Sequence, residues 1–455
     1  MSSQHHVVPP SPTAPPPTRG PGCWIEHWDP EDERFWHRAG RRIAHRNLYL
    51  SIFAEFLGFA VWALWSIVVP QLPAAGFALS VDQQFWLIAV PSLVGAALRI
   101  PYTFAVPIFG GRNWTIISAT LLLLPVLALV MVAQRPDTPF PVLLVAAGLA
   151  GFGGGNFASS MANISFFFPE RDKGRALGLN AAGGNIGTAA VQFAVPLVIV
   201  TGAGIALERA GLVLIPLIML AAFLAWRSMD NLREAKANPR AFAVAAANKH
   251  TWLISLIYIG TFGSFIGFSG AFPTLIKTQF PDVTLTIAFL GALVGSVARP
   301  VGGMIADRFG GAWVTIASFA VMAAGSIGVI RSMEQDDFAL FFGSFLLLFI
   351  ASGVGNGSSY RMIPVVFSSS ARARGGAELP QAMASARLAA AGCLGIAGSV
   401  GAFGGFLIPR GFAASTTAAG SIVPALWVIV ALYALLGLLT AAIYLRRGNF
   451  DGQRI

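Results

Sequence analysis

Charge is what this sequence has least of. Asp, Glu, Lys and Arg make up 11% of the 455 residues, where a soluble globular chain carries roughly a quarter. Acid is scarcest where the chain is most apolar: Glu55 is the one carboxylate well inside any long hydrophobic run. All six histidines lie outside those runs, so a metal site within them is not expected, and no metal or cofactor is called for. Cys23 and Cys393 are far apart in sequence and make no metal or redox spacing. Runs without His or paired carboxylates, and with Cys393 as their one thiol, offer no chemistry for a membrane enzyme. No segment outside them exceeds about 47 residues, which leaves no soluble signalling domain. Residues 1–22 are polar and Pro-rich with no apolar core, so they read as a disordered tail and not as a cleavable signal peptide.

What is abundant is apolar length. Hydrophobic residues reach 55% of the chain, in runs of about 20 that each match a ~30 Å hydrocarbon core. In lipid a helix satisfies its own backbone groups, so the expectation is an all-α polytopic membrane protein. Twelve spans are predicted, at 48–69, 83–108, 113–133, 140–165, 175–200, 211–229, 251–277, 283–306, 312–332, 338–362, 379–408 and 421–445. They group as an N-terminal region 1–47, a six-helix bundle 48–229, a linker 230–250, a second bundle 251–446 and a tail 447–455. Residues 24–46 mix aromatics with both charge signs, as a segment at the headgroup surface does. Fifty glycines and 28 prolines suit close helix packing in a membrane.

The net charge of +10 raises nucleic acid as a partner, but the basic residues are scattered over loops on one side of the predicted membrane. With the N-terminus in the cytoplasm, 21 Lys and Arg fall in inside segments and five in outside ones. The positive-inside rule therefore places both termini in the cytoplasm.

The two halves are related. Leu93, Val94, Gly95, Arg99, Phe109, Gly110 and Gly111 recur two hundred positions later as Leu293, Val294, Gly295, Arg299, Phe309, Gly310 and Gly311. At the same offset Gly153, Gly155, Asn156 and Ser159 match Gly353, Gly355, Asn356 and Ser359. A constant register over two pairs of spans indicates duplicated six-helix halves, with a substrate site between them near the midplane.

Arg99 and Arg299 lie near the middle of spans 2 and 8. A central arginine costs ~2.5–3.5 kcal/mol on insertion scales. Snorkelling suits helix ends, and one Glu cannot neutralise two Arg. Both are therefore expected to face a central cavity and bind a planar oxyanion, which guanidinium matches better than ammonium does. Span 5 carries Gly178, Gly183, Gly184 and Gly187, and span 11 carries Gly401, Gly404 and Gly405, which let helices approach closely. Asn180 and Asn185 are amides in an apolar helix and need partners. Phe157, Tyr258 and Phe262 lie near the expected midplane, although residue type alone does not select them from 35 Phe. Asp307 and Arg308 close span 8, placed to cap a helix, to pair in one state of a moving carrier, or to serve as a plain topogenic loop.

Gly302 to Gly310 (GGMIADRFG) resembles the loop motif of the major facilitator superfamily. The run at 154–187, GGNFASSMANISFFFPERDKGRALGLNAAGGNIG, resembles the nitrate/nitrite porter branch. Residues 90–112, 261–269, 277–283 and 28–36 fit the same branch, so the resemblance covers nearly the whole chain beyond residue 24. It implies that Arg99 and Arg299 bind nitrate or nitrite, that Phe157 and Phe262 sandwich the anion, and that Asn185 and Tyr258 line the site. It also implies that the glycine stretches of spans 5 and 11 serve a rocking motion. Arg361, Pro364 and Glu55 are not shared by all members. The reading is therefore a secondary carrier of the bacterial inner membrane, working as a monomer by nitrate/nitrite antiport. Proton symport through Glu55 and an anion channel are its rivals.

Overall fold

The computed structural model describes residues 20–201, 204–235, 239–375, 379–446 and 455. The expected disordered tail falls almost wholly outside these residues, as does most of 447–455. Twelve helices are long and apolar enough to cross a membrane: Glu33–Gln71, Val81–Phe109, Gly111–Ala133, Phe140–Phe167, Glu170–Ile199, Glu208–Ser228, Lys249–Gln279, Leu285–Phe309, Gly311–Gln335, Phe338–Ala373, Leu379–Ala419 and Val423–Tyr444. They are spans 1 to 12 below.

The duplication is visible in the backbone. Gly110 and Gly310, each joining one span to the next, have φ of 89° and 93°, a conformation that favours glycine. Span 2 packs on span 4, and span 8 packs on span 10. A Cβ on Gly153 would stand 2.0 Å from the Gly58 carbonyl oxygen, and one on Gly353 would stand 2.3 Å from that of Gly295. Small residues at these positions let the backbones touch where lipid gives no hydrophobic drive between helices.

The helix of span 1 begins at Glu33, ahead of the apolar run that opens near residue 48. Trp28, Phe35 and Trp36 of the 24–46 segment are buried in the protein, while Trp24 is partly exposed. Trp28 stacks edge-on against Phe35 and Phe167 at 5.2 and 5.4 Å, and these join Ile25, Trp36, Phe168 and Leu232 in one buried cluster. A short parallel pairing of Trp24–Ile25 with Asn231–Leu232 ties this segment to the chain after span 6. Asn231 accepts from the Arg112 backbone N–H at 2.9 Å and donates to the Gly22 carbonyl at 3.1 Å, so one amide caps span 3 and holds the N-terminal segment. Asp230 pairs with Arg46 and accepts from Asn47 at 2.9 Å. The linker also forms a helix, Pro239–Ala246. It lies on span 11 at Gly392 and Gly395, while Phe242 meets Phe104 of span 2 at 4.9 Å.

At the opposite end the halves meet directly. Arg410 of span 11 bonds Asp82 of span 2 at 2.8 Å and covers the Trp86 ring at 4.1 Å. Gln192 donates to the Ser269 carbonyl at 2.7 Å, and Phe193 meets Phe289 at 4.9 Å. These contacts shut the end of the bundle remote from the termini.

Trp28→Ala removes the centre of the aromatic cluster, a loss of about 3–5 kcal/mol for a buried Trp. Trypsin is expected to cut after Arg34 and Arg38 at least about tenfold faster than in the wild type, while the twelve-span core stays intact. Unchanged cleavage would show that this segment is held by something else.

Candidate anion-binding site

The two arginines are where the repeat puts them, and both are buried, at 1% exposure for Arg99 and 6% for Arg299. No carboxylate pairs with either among the described residues. Arg99 donates from Nε to the Gly154 carbonyl at 3.2 Å and from Nη1 to the Gly398 carbonyl at 2.6 Å. The first bond stays within one half and the second crosses to the other. Nη2 of Arg99 is buried with no hydrogen-bond partner. Arg299 donates from Nη2 to the Tyr258 hydroxyl at 3.4 Å, and its Nη1 is likewise without a partner. Each guanidinium thus keeps one buried donor group that the protein does not use.

Aromatic faces replace the missing acids. Phe157 and Phe262 stack at 6.4 Å with 27° between their planes. Arg99 lies 4.6 and 5.1 Å from their centroids, and Arg299 lies 5.7 and 5.9 Å away. Ring faces are negative, so a desolvated cation beside them gains about 2 kcal/mol or more. Tyr258 stacks on Phe262 at 5.2 Å and 20°. Residues four apart share one helix face, and Ile259–Gly263, which contains Phe262, is a π-helical turn.

The span 11 glycines make room for this turn. A Cβ on Gly401 would meet the Tyr258 ring at 2.4 Å, and one on Gly404 would meet the Gly263 backbone at 2.3 Å. Gly405 faces Ile266 at 2.6 Å and, across the halves, Ser92 at 2.7 Å. The span 5 glycines receive span 1: Gly183 faces Ile52, Gly184 faces Glu55, and Gly187 stands 2.1 Å from the Phe56 carbonyl oxygen. Gly178 has nothing within 4 Å, so packing does not require it here. Asn185 is fully buried and both its amide atoms lack partners, which leaves its donor unused by the protein.

Glu55 does not pair with an arginine. It accepts from Ser160 and from Asn180, the latter at 2.6 Å, so it ties spans 1, 4 and 5 of one half together. Asp307 pairs with Arg361 between spans 8 and 10.

Sequence reasoning missed four contributors. Trp62 lies 5.5 Å from Arg99 and Tyr360 lies 5.6 Å from Arg299. The carbonyls of Gly154 and Gly398 were hidden because any residue carries one. Trp62 had a signal: it stands two hundred positions before Phe262, and both rings cover Arg99. Tyr360 had none, because its counterpart at that offset is Ser160.

Residues 51–402 match the family model described as the Major Facilitator Superfamily. The nitrate/nitrite transporter NarU of Escherichia coli K12 is 41% identical over 446 residues, covering 93% of this chain and 96% of its own. A Thermus thermophilus protein described as a probable nitrate/nitrite antiporter, NarK2, is 40% identical over 374 residues, covering 76% and 83%. A solved D-xylose-proton symporter superposes with a TM-score of 0.67 at 15% identity, over 91% of this chain and 100% of its own, a likeness of fold alone.

Gly404→Ala forces a methyl into the Gly263 backbone, an overpacking that costs about 1–3 kcal/mol. Its melting temperature is expected to fall by several degrees and its anion affinity to weaken, because Tyr258 and Phe262 are displaced together. Gly178→Ala is expected to melt with the wild type. Equal melting of both variants would show that the glycine contact is not limiting.

Proposed function

The chain belongs to the nitrate/nitrite porter family of the major facilitator superfamily, and on that premise we propose that it carries nitrate and nitrite across the membrane by exchanging one for the other. One observation carries this reading. Two buried guanidinium groups, each with an unpartnered nitrogen, flank a stacked Phe pair on equivalent spans of the two halves. Nitrate and nitrite are flat monoanions with oxygen acceptors around the edge. Between Phe157 and Phe262 such an anion presents its faces to the rings and its edge to the arginines, where charge-assisted hydrogen bonds are strongest. Two ring contacts of about 3.5 Å each slightly exceed the 6.4 Å between the centroids, so binding parts the rings by a fraction of an ångström. Tyr258 steadies Arg299, and Asn185 offers a neutral donor.

The same charges favour exchange. Moving the site from one side to the other takes it through a closed state, and closing on two unneutralised cations carries the full cost of desolvating them. A bound anion removes part of that cost, so the loaded carrier turns over and the empty one waits. Proton symport needs a group whose charge changes with the cycle. Glu55 is the one carboxylate in the apolar interior, and its hydrogen-bond partners Ser160 and Asn180 lie within one half, which supports a structural role. A channel needs a lining open at both ends, whereas the Asp82–Arg410 closure supports alternating access. We place the protein in a bacterial inner membrane with both termini in the cytoplasm, the end where Lys and Arg gather. We further propose that the carrier works as a monomer.

Proteoliposomes separate the readings. Nitrate uptake is expected in vesicles loaded with nitrite and not in vesicles loaded with buffer, with or without a pH gradient. Uptake into empty vesicles driven by the proton gradient would sink exchange. Arg99→Lys or Arg299→Lys sacrifices planar donor geometry worth about 3 kcal/mol in a buried charge pair, and uptake should drop about 100-fold with normal membrane insertion. Glu55→Gln keeps the hydrogen bonds and is expected to exchange within about twofold of the wild type.

A further inference from the structure

One open cavity of about 1150 Å³ lies on the flank of the first half, and neither arginine of the central site lines it. Its walls come from the start of span 1, the end of span 4, the start of span 5 and the end of span 6, and no residue of the second half lines it. Nothing in the transport cycle described above uses it.

Its two levels differ in chemistry. The upper level holds five arginines, at 41, 42, 46, 171 and 175, with Asp172 the one acid among the lining residues. Arg46 is neutralised by Asp230, and Arg171 by Glu33 at 2.6 Å. Arg41, Arg42 and Arg175 are exposed and have no carboxylate partner among the described residues. The lower level is apolar. Leu48 and Leu50 follow Arg42 by about two helical turns, ~10 Å, and Leu179 follows Arg175 by one, ~6 Å. Leu179 is half exposed, as is much of the neighbouring Tyr49 ring. Both stand on helices that enter the membrane here.

A free phosphate is satisfied by the cations and gains nothing from a hydrocarbon wall. A ligand that carries a phosphate and an acyl chain on one molecule fits both levels, and the bilayer supplies it. Basic pockets at the ends of membrane helices are suited to anionic headgroups. We propose that this cavity is a binding site for one anionic glycerophospholipid, its phosphate held by Arg41, Arg42 and Arg175 and its chain laid along Leu50 and Leu179. Such a lipid covers unpaired charge at the junction of spans 1 and 5, the pair that the span 5 glycines hold in contact.

Each arginine near a membrane surface favours an anionic lipid by about fivefold, so three give about 100-fold. The test is native mass spectrometry of the full chain in neutral detergent, titrated with phosphatidylglycerol, phosphatidylcholine or inorganic phosphate. The wild type is expected to bind phosphatidylglycerol at least about tenfold more tightly than phosphatidylcholine, and inorganic phosphate should not displace it. Arg41→Gln, Arg42→Gln and Arg175→Gln together should bring the two lipids within about twofold. Arg34→Gln, Arg38→Gln and Arg372→Gln together remove the same charge outside the cavity and should keep the preference. If the triple cavity variant aggregates, the single variants decide, each losing about fivefold. Three results would each overturn the proposal: no preference in the wild type, equal loss in both triple variants, or displacement by inorganic phosphate, which would make this a soluble-anion site.

Discussion

Two cations without acids, held in the apolar middle of a helical bundle, are the constraint on which the rest depends. Arg99 and Arg299 are buried, yet the nearest carboxylate is spent on Ser160 and Asn180. The protein meets the charge with partial charges only: two glycine carbonyls, a tyrosine hydroxyl and the faces of aromatic rings. None of these cancels a full positive charge. The site therefore has a standing preference for a small anion, built from groups that are themselves neutral.

That solution makes demands on the backbone. A carbonyl can reach a guanidinium only where helices come within touching distance, which is why glycines crowd spans 4 and 11, whose Gly154 and Gly398 carbonyls hold Arg99. Tyr258 and Phe262 stack one helical turn apart in span 7, beside the π-helical turn at Ile259–Gly263, and Gly401 and Gly404 make room for the Tyr258 ring and the Gly263 backbone. The charge, the widened turn and the small residues of a neighbouring helix thus meet in one place.

The fold was readable because lipid leaves few choices. Runs of about 20 apolar residues, a Lys and Arg imbalance and a repeat at a fixed offset of 200 suffice to place the helices and pair the halves. The arginines were readable because a charge in such a run has so few explanations. The aromatic cage was readable only through family likeness at Phe157, Phe262 and Tyr258, since a phenylalanine in a membrane helix looks the same whether it faces lipid or a ligand. Backbone contributions were silent. Nothing in the letters of Gly154 or Gly398 says that their carbonyls hold Arg99. Side-chain charge also misled in one place: the mixed aromatic and charged stretch after residue 24 has the look of a surface segment, but its rings find a partner cluster at Phe167 and Phe168.

The Asp82–Arg410 contact has a further consequence. It is the polar joint of the closed end, and its partners are 41% and 21% exposed, within reach of dissolved ions. An exposed pair of this kind is worth about 0–1 kcal/mol, at most about a fivefold bias between two arrangements of the halves. The screening length shrinks from about 8 Å at physiological salt to about 3 Å at 1 M. A carrier that leans on this joint responds to the ionic strength of the medium it faces. The pull of this joint on the two halves therefore weakens as the medium grows more concentrated, while the Gln192–Ser269 and Phe193–Phe289 contacts at the same end carry no net charge for salt to screen.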